Sequence, residues 1–517
     1  MTTHSVEPAG SLALSQAKSG ALRGTLVNLA GTGVTMALGF FTTPYFIHRL
    51  GPSAYGIYSL VLVFTMSGYF GYLDFGIQSA TVNKASGSAA RGRWDEFSDA
   101  IAASIAGLAA IGLVSGVLIT ALAPLASHVF HIPPSLQHDL TISLRVVGIC
   151  LVIQFPALAL VATLQTLHRW DLVVIQRTLA SVLGIGVAAI LVGQHHDLLR
   201  LVLPVVIAPA LGAGLLLLLC RQIVPHFAPR VLSANRHIVW ELLRSSRAFF
   251  LAQSGIAVIS NLDQILIAAF LTSQKLALYA VAATLYYAVF ALLPITNATA
   301  FAAATHFAAL GDDARIRVLM LRGTRYAASV VLAATVAAAL FGPAFIRAWV
   351  GPGFAASGTL LLIWLLHMGI TAFTGIPHNV LSGVGRVSQA AWISSASVVV
   401  NVIVSLSLVI PYGMNGVVIG TVISYAITSP IWIHMSLRAT RISWRDFTRA
   451  SMVPAYGAAA CAAAVGGALL LVHPSSLVAT FAGGAVTFAA GLLGTVGLLS
   501  RAERQDLLRG VRIPWSR

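Results

Sequence analysis

Long apolar runs recur from one end of this chain to the other, and they constrain its fold more than any other feature. Each covers about 20 residues, the length an α-helix needs to cross a hydrocarbon core of about 30 Å. The runs fall at 24–47, 54–80, 100–124, 140–163, 176–194, 200–220, 248–270, 278–302, 326–348, 359–380, 390–410, 415–436, 451–472 and 478–499. Fourteen spans place both termini on one side of the membrane. The narrowest divider is the stretch from Gln194 to Arg200. Composition agrees: 58% of the 517 residues are hydrophobic and 9% are charged, against about 25% charged in a soluble domain. A disordered chain and a water-soluble enzyme are excluded. The expected fold class is an all-α polytopic membrane protein of about 14 transmembrane helices.

The charges orient the spans. The net charge is +16, but its 31 Lys and Arg are scattered between apolar runs rather than gathered in a basic stripe, which argues against a nucleic-acid partner. With the N-terminus inside, 26 of the 31 fall in inside segments; Arg49, Arg145, Arg200, Lys275 and Arg347 make the outer set. Such a bias is what the positive-inside rule requires, and one missed span would scramble it. Both termini are therefore expected in the cytoplasm. No short apolar segment with a small-residue cleavage site precedes the first span, so that span itself would start insertion. Cys150, Cys220 and Cys461 lie in apolar runs, where free thiols pack as small hydrophobes.

The chain reads as a tandem repeat. Leu50 and Tyr58 match Leu271 and Tyr279 at an offset of 221, Pro156 matches Pro377 at the same offset, and Pro124 and Pro133 match Pro343 and Pro352 at 219. The resulting division is a tail, 1–23; a six-helix bundle, 24–220; a cytoplasmic linker, 221–247, holding the amphipathic-looking HIVWELLRSSRAFF; a second six-helix bundle, 248–436; two further spans, 437–499; and a tail, 500–517. Six spans per half make this a parallel repeat about an axis along the membrane normal. Two bundles with a cleft that opens alternately to each side are the architecture of a carrier.

Polar residues inside spans are the candidate site, because an ionisable group there costs several kcal/mol and faces the protein interior or water. Asp74 and Asp263 are the carboxylates well inside spans. On span seven Gln253, Ser260 and Gln264 lie within about 40° of one another at 3.6 residues per turn, flanked by Asn261 and Asp263. Asp263 reads either as a helix-locking hydrogen-bond partner or as a titratable, cation-binding group. On span one Asn28, Thr32, Thr35, Gly39, Thr42 and Thr43 all point within about 60° of one face direction. Such a face suits cleft lining or close helix packing equally. Asp74, in GYLDFG, caps a helix, pairs with Lys84 or takes part in ion coupling. Arg145 snorkels to the interface or faces an anionic substrate. Tyr286, Tyr287 and Trp364 are sugar-stacking or packing residues, and His367 and His378 are proton sites or packing residues. The loop 125–139 carries His128, His131, His138 and Asp139, a poor metal site without three converging ligands. No P-loop, H-E-x-x-H or nucleophile elbow occurs, so no cofactor and no enzymatic chemistry are expected.

Residues 42–86, TTPYFIHRLGPSAYGIYSLVLVFTMSGYFGYLDFGIQSATVNKAS, resemble the opening of Wzx-type polysaccharide flippases of the multidrug, oligosaccharidyl-lipid and polysaccharide exporter superfamily. Residues 261–282, NLDQILIAAFLTSQKLALYAVA, are similar to that family's seventh-span segment. The resemblance runs over most of 24–440. It implies a polyprenyl-pyrophosphate-linked oligosaccharide turned from the cytoplasmic to the outer leaflet of a bacterial inner membrane, for O-antigen or exopolysaccharide synthesis. It also implies a cationic cavity, coupling to a proton or sodium ion, contact with membrane lipids, and a polymerase and glycosyltransferases as partners. Asp263 carries the motif match for an ion-sensitive role, and Arg145 is the weaker candidate for anion contact. The sequence departs from the pattern in having few basic residues inside spans. Three other readings remain open: a cation-coupled drug or metabolite antiporter of the same superfamily, a non-transporting assembly scaffold, and a membrane glycosyltransferase or polymerase. The last needs catalytic residues on a sizeable loop, and the longest loop here, 221–247, is mostly basic.

Overall fold

The computed structural model describes residues 9–195, 197–224, 236–297, 299–472 and 476–498, with the side chains of 9–26, 29, 72, 236 and 245–260 outside the description. The chain divides into two compact units, Met1–Ala257 and Val258–Arg517.

The first unit holds α1 (Ala9–Leu50), α2 (Pro52–Val63), α3 (Ile77–Ala90), α4 (Trp94–Val129), α5 (Pro134–Thr166), α6 (Trp170–Gln194) and α7 (Leu198–Ile223). α8 (Arg236–Phe270) runs from the first unit into the second. The second unit continues with α9 (Ser273–Phe290), α10 (Leu292–Asn297), α11 (Ala300–Ala309), α12 (Asp313–Val318), α13 (Thr324–Trp349), α14 (Ala355–Thr371), α15 (Gly375–Gly383), α16 (Val387–Thr440), α17 (Trp444–Phe447), α18 (Val453–Leu470) and α19 (Leu477–Gly497). Among the described residues ten helices are long and apolar enough to cross a membrane.

Helix-pair packing recurs between the units, as a repeat requires. α4 packs on α5, and α13 on α14; α6 packs on α7, and the two arms of α16 on each other. Short turns fall at equivalent places. α1 ends two residues before Pro52, and α8 ends just before Ser273; α5 begins at Pro134, and Pro352 opens the turn before α14. Proline suits these first positions because the N–H it lacks has no helical partner there. α18 and α19 pack on α13 through small residues: a Cβ on Gly491 would lie 2.5 Å from that of Ala333 and 3.1 Å from that of Ala462. Close backbone approach of this kind is how helices associate in lipid.

Spans two, eight and ten and the linker differ from their reading in the sequence, span ten being divided between α14 and α15. Residues 54–80 do not form one helix: α2 stops at Val63, a turn follows, and α3 starts at Ile77. The segment S-G-Y-F-G-Y-L-D-F-G is glycine-rich, and Gly76 sits at φ 74° in the left-handed region. The freed backbone is satisfied locally, as it must be at membrane depth. Thr65 donates its hydroxyl to the Leu62 carbonyl at 2.7 Å, and Asp74 accepts the N–H groups of Gly76 and Gln78. Residues 278–302 are likewise divided among α9, α10 and α11, with Pro294 in the short middle helix. In the stretch expected as a linker, the HIVWELLRSSRAFF segment is the first part of α8, and Leu242 packs with Ala80 and Ala103.

α16 covers 54 residues but is two helices joined at Gly413, whose φ of 60° and ψ of −140° are not helical. In a straight helix Asn401 and Thr421 would be about 30 Å apart at 1.5 Å per residue. Instead the Asn401 Nδ2 donates to the Thr421 Oγ1 at 3.0 Å, and the Ser405 hydroxyl donates to the Val417 carbonyl at 3.2 Å. The chain therefore folds back at Gly413, and its two arms are antiparallel helices. Cys150 and Cys220 are buried as expected; Cys461 is exposed, which corrects its reading as a packed thiol.

Candidate functional site

The second unit contains a buried polar network centred on Asp263. α8 carries the carboxylate, α9 brings Tyr279, and the hairpin of α16 brings Asn401 and Thr421. Asp263 is 2% exposed. The Thr421 hydroxyl lies 3.3 Å from Oδ2 and 3.5 Å from Oδ1, and the Tyr279 hydroxyl reaches Oδ2 at 3.5 Å. These contacts are at the long limit for a hydroxyl–carboxylate hydrogen bond, whose usual length is about 2.5–2.7 Å. No Lys or Arg among the described residues pairs with Asp263. The Asn401 Oδ1 and the Gln264 Oε1 are buried without a hydrogen-bond partner. A carboxylate and the Asn401 amide oxygen are thus held in one network with lone pairs underused, which buried polar groups seldom tolerate.

An aromatic wall adjoins the carboxylate. The Tyr279 ring packs 4.9 Å from Trp364, and Trp364 stacks on Tyr286 at 4.1 Å with the planes 6° apart. The Tyr286 hydroxyl is 2.7 Å from the His367 Nδ1, and the His367 ring meets the edge of Tyr425 at 4.2 Å. Trp364, Tyr286 and His367 are each buried. Their faces are occupied by one another. Tyr287, by contrast, is 36% exposed.

The other sequence-derived residues are placed as follows. Asn28, Thr32 and Thr35 are exposed on α1, Thr42 is half-buried, and Thr43 is buried against Tyr55 at 3.1 Å. The polar face of span one is therefore open along its first half and packed at its end. Thr35 and Thr42 return their hydroxyls to the carbonyls of Gly31 and Leu38. Asn261 is buried beside Asp263 in sequence, whereas Gln253 and Ser260 lie outside the described side chains. Asp74 caps α3, and Lys84 pairs with Glu241 rather than with Asp74. Arg145 is exposed on α5, one turn from the exposed Ile149, a placement that suits snorkelling. His378 packs against Trp432 at 4.4 Å. Among the described residues no three His, Cys, Asp or Glu converge as a metal site.

Asn401 and Thr421 were not singled out in the sequence. Their signal was present, as isolated polar residues in S-V-V-V-N-V-I-V and V-V-I-G-T-V-I-S, but their partnership depends on the hairpin.

The described residues thus form an all-helical fold of paired helix sets, long and apolar enough to cross a membrane, with a carboxylate buried in the second unit. Comparison with solved structures agrees. The chain resembles the lipid II flippase MurJ in an inward closed conformation with a TM-score of 0.67 at 12% identity, covering 93% of this chain and 100% of that one. It resembles an inward-facing multidrug resistance MATE transporter of the MOP superfamily with a TM-score of 0.62 at 15% identity, covering 80% and 98%. A Vibrio cholerae MATE transporter, VcmN, gives 0.53 at 16% identity, covering 84% and 100%. No curated protein sequence matches. A family model described as polysaccharide biosynthesis protein matches residues 21–301, more than half of the chain, and the chain belongs to that family. Family and fold agree with the resemblance to Wzx-type flippases, and the solved structures it resembles are themselves transporters or a lipid flippase.

Proposed function

We propose that the protein translocates a polyprenyl-pyrophosphate-linked oligosaccharide from the cytoplasmic to the outer leaflet of a bacterial inner membrane, by alternating access, driven by a proton or sodium ion bound at Asp263. Family membership supports a role in polysaccharide synthesis. The physical case for transport is that each unpaired polar group costs several kcal/mol in hydrocarbon, so a sugar chain needs a protein-lined route.

The observation that carries the ion-coupling reading is the buried Asp263 carboxylate with neutral partners only. An ionised carboxylate so placed lacks the compensation that buried charge demands. A proton removes the charge. A sodium ion balances it, with Asp263, Thr421 and Asn401 supplying oxygen ligands, the donors hard cations prefer. Gain and loss of that ion would shift the α8–α9–α16 network between two states.

The reading includes fourteen spans. They are α1, α2 with α3, α4, α5, α6, α7, α8, α9 to α11, α13, α14 with α15, the two arms of α16, α18 and α19. The open polar face of α1, from Asn28 to Thr35, would line the route. Asp74 and Arg145 have no part in the ion site. The packed pair Tyr286 and Trp364 would shape the network rather than stack sugars. Asp263→Asn should abolish ion-dependent glycan export at an unchanged protein level. Full export by that variant would make Asp263 a packing residue, and exchange of small organic cations by the purified protein would favour the antiporter reading.

A further inference from the structure

α6 and α7 leave a groove on the first unit that the proposed transport function does not use. It encloses about 580 Å³. Its floor is made of small residues, Ala180 and Gly184 from α6 and Ala208 and Gly212 from α7. The helices approach closely there: a Cβ on Gly184 would lie 3.0 Å from the Pro204 carbonyl oxygen. Leu183 and Leu211 form the walls and are 54% and 73% exposed. From Arg200 to Leu215 the groove follows α7 for about 22 Å at 1.5 Å per residue. Gln176 closes the far end, its amide lying over Gly212.

Arg200 is the one charged residue in the lining, and no carboxylate among the described residues pairs with it. Asp197, three residues earlier, is turned away. Its carboxylate caps Leu199 at 3.2 Å, and it lines a separate pocket with Asp139. Pro204 has no N–H, so the Arg200 carbonyl also lacks its helical donor. A cation thus stands at the head of a long apolar trough.

We infer that this groove binds an anionic phospholipid, with one acyl chain along the α6–α7 trough and the phosphate on Arg200. The charge count selects the occupant. One guanidinium matches the single charge of a phosphodiester, and Arg is the side chain best suited to phosphate oxygens. A pyrophosphate would call for more cations than the lining provides. The bound lipid would brace α6 against α7 where their small residues leave the surface hollow.

The test is photolabelling of the whole protein in lipid nanodiscs. One probe is phosphatidylglycerol with a diazirine in an acyl chain; the other is phosphatidylcholine with the same chains. Adducts from the first should map to 179–187 and 207–215 and exceed those from the second by about tenfold, the ratio expected of one charge-assisted contact. Arg200→Gln should remove that ratio. Val187→Trp, from an exposed lining position, should lower labelling by both probes. Equal labelling by the two probes, or an Arg200→Gln variant that keeps the preference, would overturn the inference. So would displacement of the phosphatidylglycerol probe by an equal amount of polyprenyl phosphate, which would assign the groove to the carrier lipid.

Discussion

The Thr421 hydroxyl lies 3.3 Å from the Asp263 carboxylate, joining residues 158 positions apart in the chain. The same hydroxyl oxygen accepts the Asn401 amide at 3.0 Å. Thr421 is therefore the link between the carboxylate of α8 and both arms of the α16 hairpin. Thr421→Val removes the oxygen and keeps the shape. It should raise the ion concentration needed for half-maximal export by about tenfold, the value of one hydrogen bond to a charged group. Titration of export against sodium and against pH reads this, and an unchanged midpoint for both would exclude Thr421 from the ion site.

The hairpin depends on Gly413. Its φ of 60° with ψ of −140° is open to glycine and strained for any residue with a Cβ. No side-chain atom crowds the position, so the penalty of Gly413→Ala is conformational, about 1–3 kcal/mol. Detergent-solubilised protein should unfold at a lower temperature, with less folded protein recovered from the membrane. Wild-type thermal stability would mean that the turn relaxes without strain.

Asp74 is assigned a capping role, which differs from ion coupling in what its variants do. Asp74→Ala leaves the N–H groups of Gly76 and Gln78 without their acceptor and should cost about 1–2 kcal/mol. Asp74→Asn keeps an acceptor oxygen and loses the charge. It should export glycan at near wild-type rates once corrected for protein level. Loss of export by well-folded Asp74→Asn would return Asp74 to the ion pathway.

At the head of α5, outside the apolar part of that helix, burial and the neighbouring Asp197 carboxylate hold the Asp139 carboxyl above its ordinary range, with His138 opposing. A raised folded value means that the native state binds this proton more readily than the unfolded chain. The pair is favourable at low pH and turns unfavourable as pH rises through the raised value. Asp139→Asn should therefore stabilise the protein at pH 7, and the gain should vanish near pH 4. Because Asp139 is largely solvated, the gain is a few tenths of a kcal/mol. Thermal unfolding at the two pH values measures it, and stabilisation at pH 4 alone would contradict the sign.

The membrane class and most helix positions were legible because span length and charge bias are properties of single segments. α18 and α19 begin within two residues of the expected spans at 451 and 478. The breaks in spans two and eight were not legible, because an apolar average hides local punctuation. Gly68, Gly71 and Gly76 mark one break and Pro294 the other. Asp263 could be found from its own span, since a carboxylate among apolar residues is conspicuous. Asn401 and Thr421 could not be joined to it, because their meeting requires the chain to reverse at Gly413. Sequence left Tyr286 and Trp364 open between sugar stacking and packing, because their mutual stacking depends on how α9 and α14 meet.

The most direct test is transfer in sealed proteoliposomes. A fluorescent polyprenyl-pyrophosphate oligosaccharide is loaded in the inner leaflet, and its arrival in the outer leaflet is read by a glycan-cleaving enzyme outside. With a sodium or proton gradient, wild-type protein should transfer the lipid several-fold faster than Asp263→Asn, and collapse of the gradient should bring the two together. Equal transfer by both proteins under the gradient, or none by the wild type, would contradict an ion-driven flippase.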